Sequence, residues 1–178
     1  MIKQEYLFKK EEISKKNDNF ISPSSKLYFD LLRSNIRPIK NNDCCQCMFL
    51  PLSIFNNDSL SGLETISKFM KEEIGLSCRE IASILNRDER TIWGSYQSSR
   101  KKMQQRFPEE YSKFYIPLTI LRNRSLSVLE AITAYLKDEL SLRYCRIASL
   151  LNRDDRTIWT VYYRVKKKRR MENEPIQL

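Results

Sequence analysis

Apolar residues recur at helical spacing in two segments of the chain. The two sets, each spaced by three or four residues, are Leu60, Leu63, Ile66, Met70 and Ile74, and Leu126, Leu129, Ile132, Leu136 and Leu140. Side chains at that spacing share one face of an α-helix. The pattern therefore predicts a helix that begins after Ser59 and another that begins after Ser125, each with a buried stripe.

Two further helices are predicted in each segment. The second begins near Ser77 and Arg143, and its buried positions are Ile81, Ala82 and Leu85, matched by Ile147, Ala148 and Leu151. Asn86 and Asn152 follow, and asparagine tolerates the left-handed backbone of a tight corner. Asp88 and Asp154 are expected to cap a third helix, which runs to about Arg106 in the first segment and about Arg170 in the second.

The two segments are one sequence repeat. Pro51–Lys102 and Pro117–Lys168 align without a gap at a shift of 66 residues, and about half of the paired positions are identical. Three glycines and six prolines argue against a strand-and-turn architecture. We predict an all-α fold of two tandem trihelical domains, 49–108 and 109–178. A flexible segment, 1–48, precedes them and contains a short helix within Ser24–Ser34.

The charge of the chain favours an anionic partner. The net charge is +10 and the isoelectric point is near 9.4. There is no long apolar run and no signal-peptide pattern, so we expect a soluble protein without a membrane partner. That protein would stay in the cytoplasm, associated with the nucleoid, or enter the nucleus of a eukaryote.

The cysteines and the missing histidine bear on chemistry. Cys78 and Cys145 do not occupy equivalent repeat positions, which excludes a duplicated disulfide framework. Cys44, Cys45 and Cys47 lie close together, but a zinc site needs a fourth ligand and the chain has no histidine to supply it. We expect neither a metal nor another cofactor. An enzyme is not expected either, because the usual general base is missing.

The repeated tract has the spacing of a helix-turn-helix motif. Counting from the small residue Ala82, the corner residue Asn86 comes four positions on and the apolar Ile92 ten positions on; Ala148, Asn152 and Ile158 repeat this. A small residue allows close helix crossing, the corner needs an unusual backbone, and the apolar residue seats the last helix.

On these residues, 76–92 and 142–158 resemble the helix-turn-helix of the sigma-70 region 4-like superfamily of DNA-binding domains. The resemblance implies an all-helical fold that places its last helix in the DNA major groove. Two features depart from the family: the corner residue is asparagine in place of the commoner glycine, and these residues show no pattern of the promoter-melting domain that a sigma factor carries. The chain is therefore not expected to be a sigma factor.

The outward side of each third helix carries residues that can read bases. With Ile92 and Ile158 inward, the opposite stripes are Arg90, Gly94, Gln97 and Lys101, and Arg156, Thr160, Tyr163 and Lys167. Arginine can hold guanine, glutamine can hold adenine, and a threonine methyl or tyrosine ring can meet a thymine methyl. The alternative for Arg90 and Arg156 is a surface ion pair with a neighbouring aspartate or glutamate.

Other cations are assigned to phosphate. Arg87 and Arg153 stand at the corners, and cationic runs end both third helices. The predicted DNA contacts are Arg87, Arg90, Thr91, Gly94, Gln97, Arg100, Lys101, Lys102, Arg153, Arg156, Thr157, Thr160, Tyr163, Arg164, Lys166, Lys167 and Lys168. Trp93 and Trp159 lie beside the stripes, where we expect packing on the preceding helix, with a contact to the DNA backbone or sugar as the alternative.

These patterns predict sequence-specific binding of double-stranded DNA, as in a transcription regulator. The alternatives are an architectural protein that coats DNA without reading it, or an adaptor that docks on RNA polymerase or another protein. The N-terminal helix either packs on the first domain or makes a homodimer. Whether the two half-sites form direct or inverted repeats depends on the relative rotation of the domains.

Overall fold

Both repeats are described by a computed structural model that covers residues 49–108 and 112–173. The predicted helix within Ser24–Ser34 and the cysteines Cys44, Cys45 and Cys47 lie outside these residues. The described part of the chain is mostly helical, which confirms the all-α prediction at that level.

Each repeat contributes a short strand, a 3₁₀ helix and three α-helices. In the first repeat these are β1 (Phe49–Pro51), η1 (Leu52–Phe55), α1 (Gly62–Glu72), α2 (Cys78–Leu85) and α3 (Glu89–Lys102). In the second they are β2 (Tyr115–Pro117), η2 (Leu118–Arg122), α4 (Val128–Asp138), α5 (Tyr144–Leu151) and α6 (Asp155–Asn173). Within each repeat the third helix packs against both the first and the second.

The first helix of each repeat begins later than predicted, at a capping box. The Ser61 hydroxyl accepts from the Glu64 amide at 3.4 Å, and the Glu64 carboxylate accepts from the Ser61 amide at 2.8 Å. Ser127 and Glu130 make the same pair of contacts. Because this arrangement satisfies amides that a helix start leaves free, it fixes the first turn there.

The third helix of the first repeat is shorter than predicted. It ends at Lys102 in place of about Arg106, and Met103 is extended, with φ −140° and ψ 102°. This turn of the backbone brings Phe107 back onto Phe69, with ring centroids 6.0 Å apart. Burying the Phe107 ring therefore stabilises the chain more than extending α3 to Arg106 would.

A two-stranded antiparallel sheet joins the repeats, and the sequence did not predict it. Leu50 lies opposite Ile116, Phe49 opposite Pro117, and Pro51 opposite Tyr115. Proline is compatible with these strands because each has one open edge and needs few ladder bonds. The all-α class still describes the fold, because the sheet in the described residues consists of two strands of three residues each.

Each 3₁₀ helix also packs on a helix of the other repeat. η1 of the first repeat packs on α5 of the second, and η2 of the second packs on α2 of the first. Buried apolar side chains of both repeats form one hydrophobic cluster. The predicted ranges 49–108 and 109–178 thus contribute to a shared core.

The first helices of the two repeats meet at Gly62. A Cβ added to Gly62 would lie 2.7 Å from Cγ1 and 2.9 Å from Cβ of Val128. These two residues occupy equivalent repeat positions, 66 residues apart. Glycine on one side leaves the room that valine fills on the other.

We predict that Gly62→Val destabilises the protein by about 1–3 kcal/mol, because two valines would overlap. Adding Val128→Gly to that variant should restore part of the loss, since the swap reproduces the same pair of side chains. Urea unfolding of both single variants and the double variant measures the coupling.

Gly94→Val is the matched control, because a Cβ at Gly94 meets no atom within 4 Å. It should leave the free energy of unfolding unchanged or slightly higher, since valine is a better helix former than glycine. Equal losses for Gly62→Val and Gly94→Val would refute the close approach at Gly62.

Candidate nucleic-acid interface

The third helix of each repeat leaves the second at a left-handed corner. Asn86 has φ 52° and ψ 50°, and Asn152 has φ 49° and ψ 56°. The amides of Arg87 and Arg153 then donate back to carbonyl oxygens of the second helix at 2.9 and 3.0 Å. The corner that the two asparagines predicted is therefore confirmed.

The start of α3 is capped as predicted. The Asp88 carboxylate accepts from the amides of Arg90 and Thr91 at 2.9 and 3.3 Å. In the second repeat the Ile158 amide donates to the Asp154 carbonyl oxygen at 3.1 Å, as in the first turn of a helix. The carboxylate of Asp88 and the helix dipole stabilise each other at this end.

The apolar side of both third helices is buried. Ile92 and Ile158 have no exposed surface, and Ser99 and Val165, two turns on, have none either. This confirms the inward direction that the spacing predicted for the two isoleucines. The opposite side of each helix therefore faces away from the core.

The predicted outward stripes lie on the surface in both repeats. Arg90, Thr91, Lys101, Arg156, Thr157, Tyr163 and Lys167 are exposed, as are Arg100, Arg164 and Lys166, while Gly94, Gln97 and Thr160 are partly exposed. The alternative partner of Arg90 and Arg156 is absent: neither makes an ion pair with a described residue. Stripe positions that are 66 residues apart in the sequence therefore lie on the surface of both third helices.

Both tryptophans are largely exposed. Trp93 and Trp159 keep 56% and 55% of their surface accessible, and Tyr163 keeps 57%. Trp159 stacks on Tyr163, with centroids 5.6 Å apart and planes 12° apart. α6 therefore presents a flat, exposed aromatic surface that includes Tyr163 of its outward stripe.

Three of the predicted cationic contacts have carboxylate partners within the protein. The Lys102 ammonium lies 2.9 Å from the Glu64 carboxylate, and the equivalent Lys168 lies 2.7 Å from Glu130. Arg153 pairs with Asp58 of the first repeat at 2.9 Å. The first two pairs, which we call the glutamate–lysine clasps, link the C-terminal part of each third helix to the N-terminal end of the first helix of the same repeat.

These pairs change the acidity of the two capping carboxylates. Burial alone would raise the pKa of Glu64, but the hydrogen bonds from Lys102 and from Ser61, with the charge of Lys102, outweigh it and lower the pKa. Glu130 has the same balance with Lys168 and Ser127, and its pKa is lowered as well. Both carboxylates are thus stabilised in the charged form.

Arg87 and Arg153 line one cleft between the repeats, together with Leu63, Leu129 and other residues of both first helices. Arg153 is neutralised by Asp58, whose equivalent in the second repeat is Arg124. A second arginine cannot pair with Arg87, and the buried Nε of Arg87 has no hydrogen-bond acceptor among the described residues. One corner is thus internally paired and the other is not.

α6 is also held to α4 through Asp138. Its carboxylate accepts from the Tyr162 hydroxyl at 2.5 Å and from the Arg169 guanidinium at 2.7 Å. The hydrogen bond to Asp138, with burial and the charge of Asp138, raises the pKa of Tyr162 to about 12. Tyr162 therefore stays neutral and fixes the inner side of α6.

The glutamate–lysine clasps were missed in the sequence. Glu64 and Lys102 are 38 residues apart, and so are Glu130 and Lys168. Two signals were available: serine followed three residues later by glutamate at both helix starts, and the identity of both pairs across the repeat. Neither signal by itself says which lysine of a cationic run reaches back.

No protein-family model, curated protein or solved structure matches the chain. None of the described helices is long and apolar enough to cross a membrane. Residues 49–108 and 112–173 hold no cluster of three or more cysteine, aspartate and glutamate side chains that could bind a metal ion.

We predict that the two clasps make stability depend on acid pH. The folded-state pKa of Glu64 and of Glu130 lies below the ordinary glutamate value of 4.5. Their contribution is therefore present above pH 4.5 and is lost as the pH falls through the folded-state pKa. Urea unfolding from pH 7 to pH 3 should show this decline.

The double variant Glu64→Gln, Glu130→Gln should be less stable at pH 7 and should lose less on acidification. Glu172→Gln, which removes one charge from an exposed side chain near the end of α6, is the control. A pH profile of the double variant that parallels the unmodified protein would contradict the clasp.

Proposed function

We propose that this protein binds double-stranded DNA in a sequence-specific manner, with α2–α3 and α5–α6 acting as two helix-turn-helix modules. In this proposal α3 and α6 enter the major groove and their outward stripes contact base edges. Transcription regulation is the role that such binding would serve.

One observation carries the proposal. Both third helices start at a left-handed asparagine corner, seat one isoleucine in the core and turn the same register positions outward. Those positions hold arginine, glutamine, threonine and tyrosine, side chains that can form hydrogen bonds or methyl contacts with bases. The arginine and the lysine of the stripe occur at the same register in both repeats, although burial of the opposite side does not require them.

The distribution of charge supports binding to phosphate. Of the eleven cations in the predicted site, Lys102, Arg153 and Lys168 have carboxylate partners. The other eight have none among the described residues: Arg87, Arg90, Arg100, Lys101, Arg156, Arg164, Lys166 and Lys167. These eight are available to neutralise phosphates, whereas the three paired ones would first have to break an internal contact.

We predict a strong dependence of DNA affinity on salt. If the eight available cations each neutralise one phosphate, log affinity should fall against log salt concentration with a slope of about −7. Fluorescence anisotropy of a labelled duplex between 50 and 300 mM salt measures the slope. A slope near zero would contradict binding through neutralisation of DNA phosphates.

Competition with random duplex separates the three candidate roles. Retention of one sequence against excess random DNA supports a specific regulator, and uniform loss supports an architectural protein. Absence of any binding supports an adaptor that recognises protein.

We predict that Arg90→Ala and Arg156→Ala each weaken binding of the preferred sequence about 5- to 150-fold, the range for one base contact worth about 1–3 kcal/mol. Affinity for random duplex should fall much less. Arg122→Ala removes the same charge from an exposed side chain of η2, outside α3 and α6, and is the control. Equal losses of affinity for all three variants would show that Arg90 and Arg156 contribute only their positive charge and do not contact specific bases.

A further inference from the structure

We infer that one copy of this chain reads an inverted repeat whose two halves are similar but not identical. The inference rests on the proposed DNA binding and adds the orientation, spacing and internal asymmetry of the target. It follows from how the two repeats meet in the structure.

The strand pairing relates the repeats by a two-fold rotation. Leu50 lies opposite Ile116, which is its own repeat equivalent. Phe49 opposite Pro117 and Pro51 opposite Tyr115 are the same contact with the repeats exchanged. A residue that faces its own equivalent marks a two-fold axis, because only rotation by half a turn brings a surface onto itself.

A second place in the molecule gives the same answer. Gly62 and Val128 are equivalent and touch each other, and η1 on α5 is the exchanged form of η2 on α2. The cleft between the repeats is lined by four pairs of equivalents: Ser61 and Ser127, Gly62 and Val128, Leu63 and Leu129, and Arg87 and Arg153. Head-to-tail packing would bring together unlike surfaces throughout, so the relation is an approximate two-fold within one chain.

The orientation of the target follows from that rotation. A two-fold that carries the first repeat onto the second also carries α3 onto α6. Duplex DNA has two-fold axes perpendicular to its own helix axis, so two modules related in this way meet half-sites in inverted orientation. Direct half-sites would require a translation along the duplex, which the shared core does not permit.

The spacing of the half-sites is limited by the cleft. Arg87 and Arg153 directly precede the capping residues of α3 and α6, and both line this one cleft. At 1.5 Å per residue, α3 is only about 21 Å long. Stripe centres thus lie about 10 Å from each corner, so half-sites one turn apart (about 34 Å) are within reach and two turns apart (about 68 Å) are not.

The two halves should agree nearest the centre and differ further out. Arg90 and Arg156 lie at the cleft end of each helix and are identical, as are the threonines that follow them. Further along, Gln97 is replaced by Tyr163, and Gly94 by Thr160. Glutamine suits adenine, whereas a tyrosine ring beside a threonine methyl suits a thymine methyl.

The test begins with selection of bound duplexes from a random pool by the full chain. The selected sequence is then rebuilt as inverted and direct arrangements of the same halves, at centre spacings of one and two turns. We expect the inverted one-turn arrangement to bind at least 10-fold more tightly than the others, with one chain per duplex.

The outcomes separate the inference from the function beneath it. Failure to retain any sequence against random duplex would end the proposed function. Specific retention with equal or better binding of direct halves, or of a single half, would leave DNA reading intact and overturn the inverted arrangement. Two chains per inverted site would overturn it as well.

A variant tests the asymmetry. Gly94→Thr with Gln97→Tyr gives the outward stripe of α3 the residues of α6, at positions that are only partly buried and where a Cβ on residue 94 meets no atom within 4 Å. We expect this variant to prefer a perfect palindrome built from the second repeat's half-site, by about 10-fold over the original target. Arg122→Ala, at an exposed side chain of η2 outside the predicted contacts, is the control and should keep the original preference.

An unchanged preference in the double variant would overturn the assignment of positions 94 and 97 to the outer bases. Thermal unfolding of both variants shows whether the fold is kept. If the double variant does not fold, the orientation series with the unmodified chain still decides the inverted arrangement.

Discussion

The structure depends on the contact that each repeat makes with its own equivalent. Leu50 against Ile116 and Gly62 against Val128 place the two repeats about one axis, and the exchanged 3₁₀ helices close the core around it. A repeat of about 50 residues alone would bury a smaller fraction of its surface than a larger domain does, and the shared core adds to the apolar surface buried by each copy. The orientation of both third helices is a consequence of that packing.

The charges of the chain are divided between structure and surface. Lys68 is fully buried and pairs with Glu72, and Lys102 and Lys168 hold the ends of two helices through capping glutamates. Other cations of the third helices, such as Arg90 and Arg156, have no carboxylate partner among the described residues and are exposed to solvent. Because the Lys102 and Lys168 pairs are built on helix starts, the carboxylates that cap the first helix of each repeat also hold the third helix in place.

Some differences between the two repeats lie where the repeats contact each other. At the axis, Gly62 had to stay small because Val128 fills the space, and Asp58 pairs with Arg153 while its equivalent Arg124 leaves Arg87 without such a partner. An approximate symmetry of this kind allows one chain to do what a symmetric dimer does with two identical ones. It also allows each half to change independently.

The sequence by itself determined the helices, the left-handed corners at Asn86 and Asn152 and the inward direction of Ile92, because these depend on spacing and local backbone preference. It could not determine the strand pairing, the end of α3 or the partners of Lys102 and Lys168. Those depend on contacts between residues far apart in the chain, where several surfaces of similar chemistry compete. Only the packed tertiary structure decided them, since burial of Phe107 and the fit of Gly62 against Val128 select one arrangement from many that local preference allows.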